Sequence, residues 1–89
     1  MSGFGGGSAY SMSRDIAGGF VIVTERTFKS MTVSDMGLLS HEIDRYLREL
    51  RGGQVVTEET AEVQDRARKI QRLSGALMVL RSYRQRARR

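Results

Sequence analysis

Apolar residues recur at steps of three and four along two long stretches of this 89-residue chain. In the first, Met36, Leu39, Ile43, Tyr46, Leu47 and Leu50 fall on one face of a helix, while His41, Arg45 and Arg48 fall on the other. Thr32 followed by Asp35 approximates a capping box, so the helix is expected to start at Thr32 or Ser34. Asp44 with Arg48, and Arg45 with Glu49, are i,i+4 pairs that suit a solvated face. Gly52 and Gly53 supply a stop, because glycine takes the left-handed position after a helix without steric cost.

The second stretch is expected to begin after Thr57, with Glu58, Glu59 and Glu62 in the first turns, where the helix dipole favours negative charge. Its seam is Val63, Ala67, Ile70, Leu73, Leu77 and Leu80, ending where Arg84 takes the next position. Gly75 and Ala76 are small enough to let another backbone come close. Two helices joined by a short glycine-containing loop are expected to pack antiparallel. That register sets Leu50 at the start of the second helix, Ile43 near Ala67, Asp44 near Arg66 and Met36 near Ser74. The longer second helix would then overhang the hairpin with its Arg-rich end.

Ahead of the helices the pattern changes. Phe20, Val21, Ile22 and Val23 are apolar and mostly β-branched, and Thr24, Glu25, Arg26, Thr27 and Phe28 continue with residues a strand tolerates. A strand over residues 20–28, or a short hairpin within residues 20–33, is expected. A lone strand has open edges, so it would pair with the preceding segment, with a symmetry mate or with another protein's sheet. Residues 1–19 are rich in Gly and Ser and lose the most backbone entropy on ordering, so they read as a flexible arm.

The fold class expected is therefore mainly α: an antiparallel two-helix hairpin preceded by one short β-strand or hairpin and a Gly-rich N-terminal arm. Residues 1–19 form the arm and residues 20–89 one small domain. Each helix has one apolar stripe, and a two-helix hairpin cannot cover both. A helical bundle, made with a second copy or with a partner's helices, is the expected solution.

Charge sharpens the question of partners. Residues 66–89 hold nine Lys or Arg and no acid, whereas residues 1–65 hold six basic and ten acidic residues, giving about +9 and −4. Eight of the nine are Arg, which grips phosphate or carboxylate through two parallel hydrogen bonds. Arg68, Lys69, Arg72, Arg81, Arg84, Arg86, Arg88 and Arg89 are the candidate anion- or partner-binding residues. They are scattered around the helix, and Tyr83 is the one aromatic among them, which is sparse for base stacking.

Catalytic chemistry has no foothold in the pattern. There is no cysteine, and the single histidine, His41, falls on the polar helix face, so neither a thiol nucleophile nor a Ser-His triad is legible. No metal set or cofactor is expected. Gly7 and Ser8 lack the lysine that a phosphate-binding loop needs, and Ser8 stands where a dinucleotide fingerprint would have its last glycine. No run approaches the ~18 apolar residues that span a bilayer, and no basic-then-apolar leader opens the chain, so a cytoplasmic location is expected.

The sequence thus points to a non-enzymatic assembly or adaptor subunit. Its expected protein interface is Met36, Leu39, Ile43, Leu47, Leu50, Ile70, Leu73, Leu77 and Leu80, with Val21 and Val23 as a second contact on the strand. A protein partner or a homo-oligomer is the expected company, with no small-molecule substrate and no membrane. The alternative is a small basic nucleic-acid-binding protein that contacts phosphates through the Arg-rich second helix.

Overall fold

A computed structural model of the chain describes residues 8–52 and 60–87, and four helices account for most of them. In chain order they are α1 (Ala9–Gly18), α2 (Glu25–Lys29), α3 (Val33–Gly52) and α4 (Thr60–Ala87). There is no strand among the described residues, so the strand expected over residues 20–28 is corrected. The expected Thr57 cap and the loop glycine Gly53 lie outside the described residues.

α1 replaces most of the expected arm. Ser8 caps it by accepting a hydrogen bond from the Ser11 backbone N–H at 3.1 Å. At the other end Gly19 adopts φ +82°, with Gly19 N–H donating to the Ile16 carbonyl and Phe20 N–H to the Asp15 carbonyl. That double bond is a Schellman closure, which needs a glycine at the left-handed position. Between the caps Ala9, Ser13, Ile16 and Ala17 form one buried stripe, and the Ser13 hydroxyl is satisfied by donating to the Tyr10 carbonyl at 2.7 Å. Two glycine clusters had masked a helix of small residues with a start and a stop.

The second half of the expected strand is helical for a similar reason. Thr24 is extended and donates its N–H to the Thr27 hydroxyl, while Thr27 N–H donates back to the Thr24 carbonyl. This turn opens α2 and drives Phe28 into the core, where its ring lies 5.8 Å from that of Tyr83 on α4. Residues 20–23 have no regular secondary structure and no neighbouring strand among the described residues.

α3 follows its pattern closely. Thr32 and Asp35 form the reciprocal capping pair, Asp35 N–H to the Thr32 hydroxyl at 3.0 Å and Thr32 N–H to the Asp35 carboxylate at 3.3 Å. Met36, Leu39, Ile43, Tyr46 and Leu47 are buried, and Leu50 is half-buried against them. On α4 the buried set is Leu73, Ala76, Leu77 and Leu80, with Ile70, Val79 and Tyr83 partly covered.

The hairpin register differs from the expected one. Asp44 faces Arg81, 3.8 Å away, in place of Arg66, a slip of about four helical turns. The first turns of α4 consequently lie outside the core: Val63, Ala67 and Arg68 are exposed. Among the described residues the Arg-rich end does not overhang, because α2 packs on it through Phe28 and Tyr83. α1 lies against both long helices and covers the apolar stripes that two helices alone would leave open. Arg14 fastens it, with its guanidinium 3.6 Å from the Tyr46 ring centroid, 4.8 Å from that of Tyr10 and 3.2 Å from Glu49.

Candidate docking groove

The Schellman turn ends α1 beside α4, and only four residues separate Gly19 from the Thr24 cap that restarts helical structure. Four residues are too few for a helix of their own, so residues 20–23 pass α4 without regular secondary structure. Their side chains differ in exposure. Val21 and Val23 turn inward and are half-buried, while Phe20 and Ile22 are 83% and 84% exposed. The backbones of Val21, Ile22 and Val23 make no backbone hydrogen bond among the described residues.

A groove of about 530 Å³ runs between this segment and the outer face of α4. Ile16, Val21 and Val23 form one wall, and Gln71, Gly75 and Val79 the other. A second hollow of about 470 Å³ continues from Val23 and Val79 to Met78, Ser82 and Glu25. Gly75 is open: a Cβ added there would meet no atom within 4 Å. Met78, 71% exposed, stands at the side. Apolar walls, a missing side chain and the exposed Ile22 and Met78 make this an exposed apolar groove.

Charge is set at one end of the groove. Arg72 donates through Nη1 to the Ala17 carbonyl at 3.0 Å, which neutralises no acid but places a cation at the C-terminal end of the α1 dipole. Gly19 packs against the same guanidinium, and a Cβ there would lie 3.0 Å from Arg72 Cζ. The side chain is therefore held in place. Arg68 sits one turn earlier on the same face of α4, exposed.

The interface residues expected from sequence are for the most part spent inside the chain. Met36, Leu39, Ile43, Leu47, Leu73, Leu77 and Leu80 are buried against one another and α1; Leu50 and Ile70 are half-buried beside them. Val21 and Val23 do line the groove. The basic residues divide further. Lys69 pairs with Asp65 at 3.2 Å, Arg81 with Asp44, Arg86 with Glu25, and Arg72 with a backbone carbonyl. Arg68 and Arg84 make no ion pair among the described residues, with Arg84 half-buried; Arg88 and Arg89 lie outside them.

Sequence reasoning singled out Gly75 for a close approach but missed its grouping with Ile22, Gln71, Met78 and Val79 on one surface. The signal was present in the i, i+4 spacing of Gln71, Gly75 and Val79 on the face opposite the seam. His41 is exposed, and no cluster of metal-ligating side chains occurs among the described residues. No described helix is long and apolar enough to cross a membrane. No family model, curated protein or solved structure matches this chain.

Proposed function

We propose that this chain is a non-enzymatic assembly or adaptor subunit that holds another protein in the groove between residues 20–23 and α4. The observation that carries this reading is the exposed apolar surface of Ile22 and Met78 beside the open Gly75 face and the Val21, Val23 and Val79 walls. Apolar area of this kind is costly in water and marks contact surfaces when it is contiguous. The seam contributes indirectly, by packing the opposite face of α4 against α1 and α3.

A photo-crosslinking residue at Met78, with a control at Arg48 on the outer face of α3, tests the reading in the protein's own cell. Adducts with protein at Met78 and none at Arg48 are the expected result. Nuclease-sensitive adducts would favour phosphate binding by the Arg-rich helix, and equal adducts at both positions would overturn the groove.

A further inference from the structure

The groove's charge selects the chemistry of its occupant. We infer that it takes an acidic amphipathic segment of a different protein, with a carboxylate on Arg72 and Arg68 and apolar side chains over Gly75. This rests on the docking function proposed above and adds to it the kind of partner.

Two occupants compete on the page: a second copy of this chain and a partner of opposite charge. A second copy brings a net charge of +5, with at least five of its ten acids already paired. Glu25, Glu42, Asp44, Glu49 and Asp65 already pair within the chain. Arg26, Lys29, Arg51, Arg68 and Arg84, by contrast, form no ion pair among the described residues. Bringing two chains of net charge +5 together at this face would set Arg68 and Arg72 against like charge. An acidic segment meets both cations and recovers the apolar area.

Arg72 is suited to that role by its tether. One Nη is committed to the Ala17 carbonyl, which fixes the plane of the guanidinium and leaves its other N–H groups to a ligand. A fixed donor loses less freedom on binding than a free one. Gly75 sets the depth: with no side chain there, an apolar group can lie on the α4 backbone between Val21 and Val79.

The test uses the full chain and three labelled synthetic peptides, built of Leu with Glu, Leu with Gln and Leu with Lys in one amphipathic pattern. Binding is read by fluorescence anisotropy and the protein's own mass by sedimentation. The Leu–Glu peptide is expected to bind best, and both Gly75→Leu and Arg68→Glu should weaken it at least tenfold. Gly75→Leu adds a side chain into open space on a helix, so circular dichroism should show the fold retained. Gly75-dependent binding of the Gln or Lys peptide, at equal strength, would overturn the acidic occupant while leaving docking intact. Peptide binding indifferent to Gly75→Leu would remove the groove itself. A dimer that Gly75→Leu converts to monomer would assign the surface to a second copy.

Discussion

Two neighbouring segments of this chain reverse the order that apolar content alone would give. α1 carries Ser11, Ser13, Arg14 and Asp15 among its ten residues and is packed against both long helices. Residues 20–23 are wholly apolar, yet two of the four are almost fully exposed. The difference lies in the backbone. α1 satisfies its own N–H and C=O groups and offers a narrow stripe of small side chains that fits between α3 and α4. Residues 20–23, confined between a Schellman turn and a new cap, can turn only alternate side chains inward. Burial follows a satisfied backbone and a matching face, and an apolar run without them is left on the surface.

The comparison breaks most sharply with a charge at each segment. Ile16→Asp, at a site 2% exposed, buries an unpaired carboxylate and should cost about 3–5 kcal/mol, enough to unfold a chain this small. Ile22→Asp, at a site 84% exposed, should change stability by less than about 0.5 kcal/mol. Urea denaturation followed by circular dichroism measures both. Equal losses would mean that residues 20–23 belong to the core.

Glycine gives a second contrast, at smaller size. Gly19→Ala forces a side chain to φ +82° and against Arg72, and should destabilise by about 1–2 kcal/mol. Gly75→Ala stands inside α4 with nothing near its Cβ, and helix propensity alone should stabilise it by up to about 1 kcal/mol. Thermal midpoints that move in opposite directions would confirm that one glycine serves the turn and the other the open face.

The same contrast explains what could be read from the sequence. The α3 face from Met36 to Leu50 and the Thr32 cap were legible because long-period patterning and reciprocal capping are local. The core positions of α4, Leu73, Leu77 and Leu80, were legible too. Its register was not: the pairing of Asp44 with Arg81 depends on α1 and α2 filling space that no local pattern reveals. α1 was hidden because Ala9, Ser13 and Ala17 are too small to count as a hydrophobic stripe, although Ser8 and Gly19 bracket them as start and stop. The groove was hidden because it is defined by a glycine and by a segment that stays unpaired.

Arg14 tests how α1 is held. Burial works against its charge, but Tyr46, Tyr10 and Glu49 together raise its pKa above an already alkaline ordinary value. Stability from a raised cation is present below the unfolded pKa and lost as pH climbs through the folded one. Both lie far above neutrality, so this charge adds no slope between about pH 5 and 9. Arg14→Ala should therefore cost about 1 kcal/mol, with the same deficit across that range, since two cation–π contacts and one half-exposed ion pair are lost together. A deficit that vanishes toward high pH would show another group to be responsible.

The finest distinction lies within residues 20–23 themselves. Val21 and Val23 are half-buried and line the groove wall, so truncating either to Ala removes two methyl groups from partial contact and should cost about 0.5–1 kcal/mol. Phe20→Ala and Ile22→Ala remove larger side chains that water already surrounds, and should lie within about 0.5 kcal/mol of the parent. The larger deletion is thus expected to have the smaller effect on folding. If docking uses this groove, the order inverts for binding at Ile22, which then loses a partner contact that folding never made, while Phe20→Ala stays neutral. Urea midpoints and peptide anisotropy on the same four variants would separate the residues that build the groove from those that face its occupant.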